Sequence, residues 1–295
     1  MKKTVFTGSA VAIVTPMYLD GTVNYEELKK LVEFQIANGT DSIVACGTTG
    51  EASTLTDDEH LKVIRTVVET VKGRIPVIAG AGSNNTAHAV WLSKEAEKLG
   101  ADALLHVTPY YNRTSQLGLI RHFSTIADAA NLPVILYNVP SRTSVNILPE
   151  TYQELSKHPN INAVKEANGN LSAAALTAFL CGENLVIYSG NDDQIVPFLS
   201  IGGKGVISVL ANTAPKQTHD ICQLYFDGKV SESAALQLKM MPLIGALFSE
   251  VNPVPVKEAI NLMGFSAGAC RQPLPPANEN VRRKLLEAMY TAGIF

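Results

Sequence analysis

One lysine stands where chemistry is possible. Ile161-Asn162-Ala163-Val164-Lys165-Glu166 reads as a short buried strand, and Ala167-Asn168-Gly169-Asn170 follows as a loop. Lysine is rarely buried without a partner. Successive strand residues point to opposite faces, so Glu166 is a poor partner while the strand lasts. Burial disfavours a charged amine, and a neutral amine attacks a ketone to form a Schiff base. The plainer alternative is a lysine that reaches from the strand end into solvent.

Polar groups suited to such chemistry follow the other apolar runs. Thr48 and Thr49 lie in Gly47-Thr48-Thr49-Gly50-Glu51, Tyr110 and Tyr111 follow Pro109, and Tyr137, Arg142 and Gly190 come later. Each alone has an ordinary explanation: a turn, surface packing, a solvated charge. Asp192 reads as a helix N-cap rather than a catalytic acid. Together they match what a Schiff-base reaction needs. Carbinolamine and enamine steps move several protons, and Tyr and Thr hydroxyls both give and accept them. Donors after Gly47 can hold one carboxylate. Arg142 can grip a second with two parallel bonds.

These residues need a scaffold that gathers strand ends. Short apolar runs cover 10–15, 41–46, 75–79, 103–107, 133–137, 161–166, 185–188 and 205–209. Helical patterns separate them. Asn24 caps one through Asn38, and Thr56 with Glu59 forms a capping box at the start of the next. Others cover 86–99, 116–129 and 172–180, a short one follows Leu148 with Pro149 in its first turn, and two more end near Ser200 and Phe226. Eight βα units with near-continuous apolar strands imply a parallel sheet covered by helices. Eight units predict closure into a (β/α)8 TIM barrel, whose chemistry sits at the C-terminal strand ends. The alternative is an open doubly wound sheet, but no Gly-x-Gly-x-x-Gly follows the first strand, so a dinucleotide site lacks support. Helical patterns near 232–249, 254–263 and 279–292 close the chain. The division expected is a catalytic barrel over 1–228 and a C-terminal helical extension over 229–295, not a second catalytic domain.

Composition narrows the class. Apolar residues make up 46% of the 295 residues and charged ones 17%, enough to bury a large core. A net charge of −3 without charge blocks argues against a nucleic-acid partner. Cys46, Cys181, Cys222 and Cys270 match no zinc spacing and read as free thiols. No apolar run approaches the roughly 18 residues of a membrane span. A soluble cytoplasmic protein with no metal and no cofactor is expected.

With its motifs in place, the sequence resembles the dihydrodipicolinate synthase family. The likeness rests on Gly47-Thr48-Thr49-Gly50-Glu51, Tyr110-Tyr111, Tyr137-Asn138-Val139-Pro140-Ser141-Arg142-Thr143 and Val164-Lys165-Glu166, over about 5–292. It implies condensation of pyruvate with L-aspartate 4-semialdehyde through a Schiff base on Lys165, in lysine and diaminopimelate biosynthesis. It makes Tyr137 the proton donor and acceptor, and Thr48, Tyr137 and Tyr111 a proton relay. Tyr111 is lent by a neighbouring subunit in the family, and a homotetramer built as a dimer of dimers is usual. Thr49 and the Ile207 backbone would contact pyruvate, Arg142 the semialdehyde carboxylate, and Gly190 would leave room beside the substrate. N-acetylneuraminate lyase and related 2-keto-acid aldolases share the lysine, but they typically carry Ser at Thr48 and lack an Arg at Arg142. A non-catalytic sensor would be expected to have lost the lysine or the relay. Lysine-sensitive relatives bind the effector with residues matching Asn84, His60 and Tyr110 plus an acid. His88 stands at that acid's position, so weak or absent lysine inhibition is expected.

Overall fold

The computed structural model describes Lys2 and residues 4–295. Its strands are β1 (Gly8–Ala12), β2 (Ser42–Ala45), β3 (Val77–Gly80), β4 (Ala103–Val107), β5 (Val134–Asn138), β6 (Ile161–Glu166), β7 (Val186–Ser189) and β8 (Gly205–Ser208). They close in chain order into a parallel barrel, with β1 returning to β8. The helices are α1 (Tyr25–Ala37), α2 (Asp57–Val71), α3 (Thr86–Lys98), α4 (Gln116–Ala129), α5 (Pro140–Thr143), α6 (Pro149–Leu155), α7 (Leu171–Cys181), α8 (Ile195–Ser200), α9 (Pro215–Phe226), α10 (Val230–Leu247), α11 (Val254–Leu262) and α12 (Glu279–Ala292). The TIM barrel expected from the eight apolar runs is therefore the fold.

The two-residue strand period sorts the core into two layers. Ala10, Val44, Ile78, Leu105, Ile135, Ala163 and Ile207 fill the barrel interior. Val11, Ile43, Val77, Leu104, Val134, Val164 and Val206 face the helices and join the larger outer core. Phe6 and Tyr188 stack nearly parallel inside, with ring centroids 4.3 Å apart, and the Tyr188 hydroxyl donates to the Phe6 carbonyl at 2.7 Å.

Helix starts follow the caps. The Asn24 side chain accepts from the Glu27 N–H at 3.1 Å. Thr56 and Glu59 form the reciprocal capping box, with bonds of 3.3 and 3.0 Å. Strand β1 begins two residues before its expected start. Gly8 pairs with Gly205 at the seam, and a Cβ on Gly205 would fall into the Gly8 carbonyl. Closure therefore needs glycine there, and a search for apolar runs passes over it. The one-turn helix α5 was also missed, because four residues carry no readable period. After the eighth βα unit, α10 packs on α9 and α12.

Candidate active site

Lys165 is the next-to-last residue of β6, with its side chain on the inward face, and only 6% of the residue is exposed. In register it lies between Tyr137 of β5 and Tyr188 of β7. Its Nζ sits 4.4 Å from the centroid of the Tyr137 ring. The solvent-reaching alternative for this lysine is thereby set aside.

Glu166 points to the opposite face, as strand alternation requires. Its carboxylate accepts from Asn138 Nδ2 at 3.0 and 3.1 Å, from the Tyr152 hydroxyl at 2.9 Å and from the Asn168 N–H at 2.9 Å. Burial lifts its pKa to about 7, against the pull of those donors. Asn138 stands directly opposite Glu166 in the ladder. The ends of the two strands that carry Tyr137 and Lys165 are thus bolted together from behind.

Thr48 and Thr49 occupy the turn after β2. The backbone bonds that close this turn come from the Glu51 and Ala52 N–H groups, to the Thr48 and Gly47 carbonyls. Glu51 adopts a left-handed φ of 56°, costly for a non-glycine residue and held here from outside the turn. Its carboxylate pairs with Lys257 at 2.8 Å, both side chains being almost fully buried, and it accepts from the Arg271 N–H at 2.9 Å. Lys257 also donates to the Ala269 carbonyl at 2.7 Å. The segment after the barrel therefore fixes the threonine turn. Breaking such a buried pair by removing one partner typically costs about 3–5 kcal/mol.

Arg142 lies in α5, and its Nη2 donates to the Asn252 carbonyl at 3.0 Å. The Asn252 side chain in turn donates to Thr49 Oγ1 at 3.1 Å. Sequence reasoning missed Asn252, since no local pattern marks it. Gly190 donates its N–H to the Glu166 carbonyl at 2.7 Å, and a Cβ would come within 2.7 Å of Ala167 Cβ. Contacts within the protein already require glycine at that position. Ile207 is buried on β8 inside the barrel.

One placement differs from expectation. Asp192 is not a helix cap; Asn191 stands at the cap position, without a side-chain capping bond. The Asp192 carboxylate instead accepts from the N–H groups of Val209 and Leu210 at 3.1 and 2.9 Å, tying the loop after β7 to the end of β8. Burial raises its pKa. Tyr111 is 94% exposed and has a left-handed φ of 67°. Asn84 and Asn112 brace its turn through bonds of 3.1 and 2.9 Å to the Tyr110 and Asn84 carbonyls. Thr48, Tyr137 and Lys165 gather at the barrel mouth, whereas Tyr111 turns outward into solvent.

A cavity of about 390 Å³ opens beside the lysine, within the usual size of small-molecule sites. Thr48, Tyr137, Arg142, His60, Ser83 and His88 are among the residues that line it. Lys165 is not part of its wall; it lies behind the Tyr137 ring, which is. His60 Nε2 is 2.7 Å from the Gly80 carbonyl, and burial lowers the pKa of its imidazole. His88 Nε2 lies 3.0 Å from Asp57 Oδ1, and its ring stacks on Trp91. The cavity therefore does hold a carboxylate, Asp57, but paired with the imidazole. Asn84 and Tyr110 are joined by the bond already described. All four cysteines are free. Among the described residues no cluster could hold a metal ion, and no helix is long and apolar enough to cross a membrane.

Comparison with known proteins agrees with this geometry. The pattern of the dihydrodipicolinate synthetase family matches residues 5–292. A protein of Caldicellulosiruptor saccharolyticus named 4-hydroxy-tetrahydrodipicolinate synthase is 58% identical over 290 residues, 98% of each chain. The crystal structure of the chloride-inhibited dihydrodipicolinate synthase of Acinetobacter baumannii, complexed with pyruvate, superposes with a TM-score of 0.97 at 44% identity, covering 99% of this chain and 100% of that one. That of the enzyme from Cyanidioschyzon merolae with lysine bound also gives 0.97, at 39% identity and the same coverage. The chain belongs to the dihydrodipicolinate synthetase family.

Proposed function

We propose that the chain carries out the 4-hydroxy-tetrahydrodipicolinate synthase reaction, the condensation of pyruvate with L-aspartate 4-semialdehyde in lysine biosynthesis. The observation that carries this reading is Lys165, buried at a barrel strand end against the ring of Tyr137. The Lys165 Nζ adds to the pyruvate carbonyl carbon, and water leaves as the imine forms. Loss of a methyl proton gives the enamine. Its carbon attacks the aldehyde carbon of the semialdehyde, whose oxygen takes up a proton. The semialdehyde's amino group then adds to the imine carbon and displaces Lys165, closing the ring. One pyruvate and one semialdehyde give one cyclic product and one water.

Tyr137 supplies the hydroxyl for these proton transfers: its ring packs against Nζ and its side chain lines the cavity. Thr48 shares its cavity. The Thr49 hydroxyl, with the N–H groups of Thr48 and Thr49 that take no part in closing their turn, suits the pyruvate carboxylate. The Ile207 backbone is the further pyruvate contact, and Gly190 keeps the wall beside the substrate low. Arg142 retains donors beyond its bond to Asn252 and suits the second carboxylate. The outward Tyr111 fits service to a second copy of the chain, within a dimer of dimers working in the cytoplasm. His60, His88 and Tyr110 line the cavity that Tyr137 and Arg142 also line, with Asn84 bonded to the Tyr110 carbonyl, and lysine inhibition at this set is weak or absent.

The test is substrate discrimination. Product should form from pyruvate with aspartate semialdehyde and not from pyruvate with N-acetylmannosamine. Tyr137→Phe should lower kcat by about 10²- to 10³-fold. Turnover of the amino sugar alone would move the assignment to the lyases.

A further inference from the structure

We propose that Asn252, which lies in the segment after the barrel, is a positioning residue that sets the hydrogen-bond polarity of the pyruvate end of the site. The inference rests on the synthase reading above. Among the described residues, Asn252 is the one with bonds to both expected carboxylate receivers. Its Nδ2 donates to Thr49 Oγ1 at 3.1 Å, and its main-chain carbonyl accepts from Arg142 Nη2 at 3.0 Å. Thr49 and Asn252 are both nearly fully buried, at 2% and 5% exposure.

Direction is the substance of the matter. A hydroxyl has one proton to give and two lone pairs. Because Thr49 Oγ1 accepts from an amide N–H, its own proton is free for an anion in the mouth. A carboxylate in place of the amide would reverse this: the Thr49 proton would turn toward residue 252, and a lone pair would face pyruvate. The Asn252 Oδ1 is buried without a hydrogen-bond partner among the described residues. Such an orphan is costly and is rare in native proteins unless a site uses it. An amide held for its N–H alone, with its other end unmatched, fits a positioning role better than a structural one.

The contact to Arg142 runs through the main chain, so side-chain substitution leaves it in place. Three single variants and one double variant separate the roles. Asn252→Asp keeps size and reverses polarity, and Asn252→Ala removes the donor. We expect KM for pyruvate to rise about tenfold in Asn252→Ala and more in Asn252→Asp, the scale of one hydrogen bond to a charged group. KM for the semialdehyde should stay within about twofold, and kcat should fall less than KM rises. In Thr49→Val, adding Asn252→Asp should cost nothing further, because the hydroxyl it acts through is gone.

Full additivity of the two substitutions would overturn the inference. So would an unmoved pyruvate KM, or a parallel loss in both KM values and kcat. A variant that does not fold is replaced by the other, and loss of folding in both would assign Asn252 a structural role and overturn the proposal. Wild-type activity separates the layers. No turnover of pyruvate by the wild type would sink the synthase reading and this inference with it. Normal turnover with unmoved variants would sink this inference alone.

Discussion

Lys165 and Glu166 are neighbours in the chain with opposite duties. The lysine faces the barrel interior against Tyr137, and the glutamate faces the helices, where Asn138 and Tyr152 hold it. Alternation along β6 makes this division, and it was legible in six letters of sequence. Asn252 was not legible. Its two contacts lie 203 and 110 positions away along the chain, and only the closed fold brings them together. The same holds for Asp57 and His88, which are 31 positions apart and 3.0 Å distant in space. Their pairing bears on lysine. Asp57, the carboxylate paired with His88, is engaged by an imidazole, so an incoming ammonium has to compete for it. Isothermal titration at neutral pH should show weak lysine binding or none. Tight binding there would contradict this, and would point to Asp57 as the acid.

At the scale of elements, caps and apolar periods were the readable part. β4, α4 and β6 begin and end where the sequence puts them, because each has a clean run bounded by Gly, Pro, Ser or Asn. β1 is displaced because its pairing depends on two glycines. The pair α3 and α4 carries a less visible property. His106 on β4 packs against α3, with Ser93 Oγ 3.3 Å from its Nε2, and His122 on α4 meets Thr86 Oγ1 at 2.9 Å. Burial drops their pKa values to about 3 and about 4 from the usual 6.5. The folded state therefore refuses protons that the unfolded chain takes up below pH 6.5. Stability from these groups is present above that pH and is lost as the pH falls toward 4. Glu166 acts in the other sense: its raised pKa gives stability below about 4.5 that is lost as the pH rises through 7. The wild-type curve alone is thus blunted, and a difference measurement is needed. His122→Gln should gain about 1 kcal/mol relative to wild type between pH 7.5 and 5.5, read from urea unfolding at each pH. A constant difference across that range would mean that His122 takes up its proton at the same pH in the folded and the unfolded chain, and a gain by the wild type would mean that it is protonated in the fold.

The whole molecule raises the question of completeness. One chain brings Lys165, Tyr137 and Thr48 to its own barrel mouth and sends Tyr111 away from it. The left-handed turn at Tyr111 is braced by two asparagines, so the outward aim is built in. If a second copy receives that hydroxyl, two inactive variants should rescue each other. Mixed and refolded together, Lys165→Ala and Tyr111→Phe should regain up to about a quarter of wild-type activity, from the statistics of mixed dimers. Each alone should stay nearly inactive. Absence of rescue in confirmed mixed dimers would place Tyr111 in service to its own barrel, or to none.

The claim beneath all of this is covalent capture of pyruvate by one amine. Incubation with pyruvate, reduction by borohydride and mass spectrometry of the digested protein tests it most directly. A single reduced pyruvyl adduct is expected, on the peptide carrying Lys165, and none in Lys165→Ala. An unmodified Lys165 in protein that still turns pyruvate over, or an adduct on another lysine, would contradict it.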